Sequence, residues 1–202
     1  MAINIDDFVK MCVSRGVEAD VIFEIGAREC HDAGWLKRAY PNAEVYAFEA
    51  FPEEYNLHKD NVPGIKYYNI GMWSEETDLV FNKRGIGVGI SSFRNRLNIQ
   101  NPHETEVLRT TTVKKFCEEN NITKIDILKL DVEGCSYDVF KGFGDILNTV
   151  KIMHIETEQE EYFENQVLEN EVFALLEAHG FEKISHSDCW GVRQYDSVWI
   201  KP

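Results

Sequence analysis

The chain has 202 residues, 44% of them hydrophobic and 28% charged, enough for one sizeable core and a single domain over 1–202. No apolar run approaches the length of a bilayer span and the first residues lack the basic and apolar regions of a secretion signal, so a soluble, cytoplasmic chain is expected. The formal net charge of −14, from 21 Lys plus Arg against 35 Asp plus Glu, opposes approach to phosphate backbones and anionic membranes, so neither nucleic acid nor membrane is an expected partner.

Five cysteines, at 12, 30, 117, 135 and 189, are odd in number and widely spaced, which fits reduced thiols better than a zinc ribbon or a redox pair. In chain order, Phe8, Val9, Cys12 and Val13 recur at helical spacing over 6–15 within an N-terminal segment 1–18. A buried strand follows at 21–25. Asp32 is placed to cap a helix over 33–40, which Pro41 closes before a strand at 44–48. Pro52 opens the next helix, Pro63 and Gly64 end it, and a strand covers 65–70.

Between 74 and 111 the pattern weakens. Leu79, Val80 and Phe81 can make a short strand, and Gly85, Gly87 and Gly89 mark an irregular stretch that reads as a substrate loop or lid over 83–104. A helix over 113–120, a strand from Ile125 to Leu130, a short helix at 137–140, a strand at 151–155 and an acidic helix ending at Gly180 follow. Strands at 182–185 and 197–200 succeed one another without a helix, which implies an antiparallel hairpin at the sheet edge. The alternation is that of a doubly wound, mostly parallel α/β sheet.

Three strands end on carboxylates: Glu24 ahead of Gly26, Glu49, and Asp131 with Glu133 ahead of Gly134. Ligands of open α/β sheets lie beyond the carboxyl ends of the strands, so these acids face a common pocket. Gly26, with Ala27, lets backbone approach a ligand closely. Glu49 comes 23 positions after Gly26 (49 minus 26), near the spacing at which an acid accepts both hydroxyls of a ribose. A dinucleotide site needs further glycines where this chain has Arg28, Glu29 and Cys30. Glu24, Glu29 and Asp32 would repel a diphosphate and suit an ammonium and a sulfonium, which describes S-adenosylmethionine.

The segments Glu24-Ile25-Gly26-Ala27, Tyr46-Ala47-Phe48-Glu49-Ala50-Phe51-Pro52-Glu53 and Ile127-Leu128-Lys129-Leu130-Asp131-Val132-Glu133-Gly134 resemble the successive motifs of the FkbM family of S-adenosylmethionine-dependent methyltransferases, over about 20–200. The resemblance implies a Rossmann-like class I methyltransferase fold: a mostly parallel seven-stranded sheet with an antiparallel edge strand, helices on both faces, and O-methylation as the usual activity. It also implies that Gly26, Ala27 and their neighbours Glu24, Arg28 and Cys30 hold the methionine part; Asp131, from its own position, reads either as a base or as a holder of the methionine amino group or of loop amides. Glu49 and Ala50 would take the ribose, and the turn carrying Gly71, Met72 and Trp73 would border the adenine. Two positions depart from the family pattern, which commonly has Asp where Glu24 stands and Gly where Cys30 stands.

Methyl transfer to a sugar-type hydroxyl needs alignment and a group that takes the proton, and Asp131 and Glu133 are candidates. In the strand at 151–155, alternation puts His154 and Glu156 on one face, adding Glu156 at the strand end and His154 deeper, where a hydrogen-bonded core histidine is the competing reading. Asp131, His154 and Glu156 would also suit a divalent cation, but sulfonium and hydroxyl binding already explain the acids, so no metal is expected. Trp35, Trp190 and Trp199 read as packing residues, and Ser91 to Arg94 as a border of the acceptor site. The acceptor expected from the resemblance is a carbohydrate, glycan or related small molecule. The alternatives are a nicotinamide-dependent oxidoreductase, disfavoured by the missing glycines, and a silent nucleoside-binding module.

Overall fold

A computed structural model of the protein describes residues 3–97, 104–189 and 194–202. The elements run α1 (Ile5–Ser14), β1 (Val21–Ile25), α2 (His31–Ala39), β2 (Glu44–Glu49), α3 (Pro52–His58), β3 (Ile65–Asn69), β4 (Gly71–Met72), β5 (Asp78–Lys83), β6 (Glu104–Thr111), α4 (Val113–Glu119), β7 (Ile127–Leu130), α5 (Ser136–Lys141), a 3-10 turn (Gly144–Thr149), β8 (Ile152–Glu158), α6 (Glu169–Ala178), β9 (Glu182–Cys189) and β10 (Gln194–Ile200). Among the described residues, seven strands form one sheet in the order β3-β2-β1-β7-β8-β10-β9. The order reverses between β1 and β7, which pair in parallel, and a crevice opens above that point.

The last strand runs antiparallel, as expected, but sits one place in from the edge. β10 pairs antiparallel with both β8 and β9, so β9 is the outermost strand on that side. Each strand turns alternate residues to two apolar layers. Phe23, Phe48, Leu128, Met153 and Trp199 pack on one face against α4, α5 and α6. Ile22, Val45, Ala47 and Ile127 pack on the other against α1 and α2. In the first layer Phe48 meets Phe116 edge-on, with ring centroids 4.7 Å apart; each fully buried phenyl contributes roughly 2 kcal/mol. Trp199 is fully buried and Trp35 half-buried at the second layer, whereas Trp190 and residues 98–103 of the expected loop lie outside the described residues.

Two local expectations are corrected. Helix α2 begins at His31, after Cys30 in the left-handed conformation, and Asp32 lies inside its first turn. The orphan amide of Ala33 instead donates to Glu24 Oε2 at 2.9 Å, so a carboxylate on the neighbouring strand serves as the cap. The weak stretch between 74 and 111 also holds more structure than its pattern shows: β5 and β6 pair antiparallel over six residues each and, with β4, make a small second sheet. β6 is exposed along most of its length, so it carries no apolar alternation. Among the described residues, no helix is long and apolar enough to cross a membrane. Cys12, Cys30, Cys117 and Cys135 are free and buried.

Candidate active site

Above the β1–β7 switch lies a cleft of about 300 Å³. Its floor is the turn after β1. Gly26 and Ala27 both donate their amides to Phe48 O at 2.9 Å, which ties this turn to the end of β2. Gly26 has φ +85°, and a Cβ there would fall 1.6 Å from Asp131 O, so only glycine lets the turn pass over the end of β7. Arg28 and Cys30 follow with φ of 39° and 57°. Cys30 therefore occupies a conformation that favours glycine. Its side chain is buried in the layer shared with α1 and α2, not in the cleft lining, and burial first, then Glu24 and Glu49, push its thiol upward.

Glu49 is 9% exposed at the end of β2. Its Oε2 accepts the Arg28 amide at 2.8 Å and its Oε1 the Phe51 amide at 2.7 Å, which fixes the carboxylate and leaves lone pairs on both oxygens. Burial pushes its pKa to about 7, against the pull of the two amides. Glu24 is 4% exposed, and burial, then Asp32, holds its carboxyl well above the usual range. Ala50, Ile70 and Met72 line the cleft with Phe51, Phe81 and Phe93. Gly71 is not in the lining; a Cβ there would fall 2.5 Å from the Phe93 ring. Trp73 stands outside the lining too, 5.8 Å from Phe93 between ring centroids. The apolar wall thus comes from residues brought in by β4, β5 and the segment after it.

On the other side of the turn, Asp131, Glu133 and Glu156 each place a carboxylate oxygen within 4.8 Å of the others. Such a trio has the composition of a hard-cation ligand set. Burial, then Asp131, raises both Glu133 and Glu156 well above the usual range, and for Glu133 the Arg96 guanidinium works in the opposite direction. Arg96 Nη1 lies 3.2 Å from Glu133 Oε2. Ser92 Oγ donates to Glu133 O at 2.7 Å, and Arg94 Nη2 lies 2.6 Å from Asp138. Residues 84–97 are thereby strapped over this end of the cleft, and Ser91, Ser92 and Phe93 contribute to its lining.

His154 is not brought to the site. It is 2% exposed in the core, its ring 5.2 Å from Phe8 and its Nε2 3.1 Å from Asp196, and burial, then Lys129, lowers its pKa. Two buried groups had drawn no attention in the sequence. Glu158 accepts from Gln166 and is pushed by burial to about 7; period-two alternation from Glu156 would have placed it. Lys129, inside the β7 motif, is 4% exposed and lines the cleft.

Residues 24–183 match the family described as Methyltransferase FkbM domain. The chain belongs to the FkbM methyltransferase family. Family membership makes S-adenosylmethionine its cofactor, and a cleft with a glycine cradle, a buried carboxylate bearing free lone pairs and an acidic lining fits that group. Curated relatives include Methyltransferase 1 of Beauveria bassiana, 26% identical over 132 residues covering 55% of this chain, and the hexuronic acid methyltransferase AglP of Haloferax volcanii, 23% identical over 154 residues covering 74%. The matched part spans 53% and 61% of those proteins. Among solved structures, the magnesium protoporphyrin IX methyltransferase ChlM of Synechocystis PCC 6803 with bound SAM superposes with a TM-score of 0.57 at 10% identity, over 98% of this chain and 78% of that one. This likeness shows the fold.

Proposed function

We propose that the protein transfers a methyl group from S-adenosylmethionine to a hydroxyl oxygen of a carbohydrate, glycan or related small molecule. The observation that carries this reading is the convergence on one cleft of the Gly26 turn, Glu49, Asp131 and Glu133, with a Glu156 carboxylate oxygen within 4.8 Å of the last two. When bound, the cofactor supplies a methyl group on a positive sulfur, open to in-line attack. Glu49 accepts the ribose hydroxyls. The turn of Glu24, Gly26, Ala27 and Arg28, shaped from behind by Cys30, holds the methionyl end. Ala50 and Met72 flank the nucleoside, Gly71 lets Phe93 close on it, and Trp73 supports Phe93.

Asp131 and the adjoining Glu133 and Glu156 take the acceptor proton as oxygen bonds to carbon and sulfur leaves. Burial raises the carboxyls of Glu133 and Glu156, and once ionised these are stronger bases than exposed ones, which suits these two to a weakly acidic alcohol. His154 has no part in this step. A sugar acceptor is favoured by the hexuronic acid methyltransferase among the relatives. Incubation with methyl-tritiated cofactor and a panel of hexuronic acids, neutral sugars and their glycosides tests the reading: label is expected in a hydroxyl-bearing acceptor. Cofactor binding without label in any acceptor would favour the silent nucleoside-binding module.

A further inference from the structure

The methionyl end of the cofactor carries a carboxylate as well as an ammonium, and this inference rests on the cofactor reading above. Among the described residues the cleft is lined by seven carboxylates and two permanent cations, Arg28 and Lys129. An anion entering it needs a specific receiver. A turn leading into a helix ordinarily offers free amides to an anion. Here most are spent, those of Gly26 and Ala27 on Phe48 O, that of Arg28 on Glu49, that of Cys30 on Ala27 O and that of Ala33 on Glu24, and those of His31 and Asp32 stand beside the Asp32 carboxylate, which opposes an anion there. The Arg28 guanidinium is engaged by Glu29 through Nε and Nη2.

Lys129 is different. It lies beside Glu24 in the pairing of β1 with β7, directly below the crossing of Gly26 over Asp131. It is 4% exposed, and removing an ammonium from water costs several kcal/mol unless its donors are met. Of its three donors, one reaches Asp131 Oδ2 at a long 3.3 Å. Although burial works to lower its pKa, Asp131, Asp196, Asp32 and Glu156 raise it, so the ammonium stays charged. We propose that Lys129 receives the carboxylate of the cofactor's methionyl group and thereby sets specificity for the complete amino-acid end of the donor. The competing role, mere compensation of neighbouring acids, makes a different prediction for a donor lacking only the carboxylate.

The test is calorimetric titration with S-adenosylmethionine and with decarboxylated S-adenosylmethionine, on wild type and on Lys129→Met. Wild type is expected to favour the complete cofactor by on the order of tenfold or more, the size of one charge-assisted contact. Lys129→Met is expected to reduce that preference to about twofold or less by weakening the complete cofactor alone. Equal binding of the two ligands by wild type, or a preference preserved in the variant while both ligands weaken together, would overturn the assignment. Should Lys129→Met not fold, Lys129→Gln, which keeps a polar side chain without the charge, is titrated in its place and judged by the same two outcomes. Failure of both ligands to bind wild type would overturn the cofactor reading, and this proposal with it.

Discussion

The two ends of the cleft are built by different means. At the end proposed to take the cofactor, main chain does the holding: Gly26 and Ala27 are fixed to Phe48, and Glu49 is clamped by the amides of Arg28 and Phe51. At the end proposed to take the acceptor, side chains far apart in sequence do it, with Arg96 on Glu133, Ser92 on Glu133 O and Arg94 on Asp138. Backbone hydrogen bonds are available to any sequence that can adopt the turn, so the first end is suited to a constant ligand. Side-chain ion pairs exchange with single substitutions, so the second end is free to vary its acceptor.

The sharpest way to break this contrast is Gly26→Ala. A methyl group 1.6 Å from Asp131 O, in a left-handed residue, is expected to destabilise the fold by about 3 kcal/mol and to abolish binding of S-adenosylhomocysteine. Urea unfolding together with titration checks both, and a stable variant with normal affinity would remove the close approach. Asp131→Asn is expected to lower turnover about 100-fold or more while changing stability by less than about 1 kcal/mol. Single-turnover methyl transfer beside thermal unfolding separates the two quantities.

The acidic cluster makes a prediction in pH. Because Glu133 and Glu156 are raised, the rate should keep climbing with pH beyond about 5, where an ordinary carboxylate is already ionised. Glu133→Gln removes a repelling neighbour from Glu156, so the remaining limb of the profile is expected to move to lower pH; an unmoved limb would separate these groups from the step. The smallest effect is expected for Arg96→Met, about 1 kcal/mol from a half-buried pair. It should appear as faster hydrogen exchange in 84–97 and a higher acceptor KM, with cofactor affinity unchanged.

The cleft was legible in the sequence where contiguous strand ends form it: Glu49 and Asp131 each close a buried run, and both line it. The end beside Glu133 was harder for a physical reason: Arg96 and Glu133 are 37 positions apart, and no local pattern joins them. The cap on α2 was misread because Glu24, on another element, does what Asp32 was placed to do. β6 was missed since a strand exposed on both faces has no hydrophobic period. The competing core reading of His154 matches its surroundings, with Phe8 of α1 covering the ring.

Under the proposed function, Glu49 ties the fold most directly to its ligand. In the empty protein burial holds it at about 7, so its protonated form is favoured: the stability it lends is full below the ordinary carboxylate value and fades as pH rises through 7. Ribose hydroxyls donate to the ionised form, so binding must release its proton. Calorimetric titration of S-adenosylhomocysteine across this range, on wild type and Glu49→Gln, measures that coupling. The expected result is wild-type affinity that tightens as pH rises through about 7, and a variant about 30-fold weaker with a flat profile, matching about 2 kcal/mol for two charge-assisted hydrogen bonds. Equal affinities with the same pH dependence in both proteins would contradict the ribose assignment, and with it the joining of the two ends of the cleft around one cofactor.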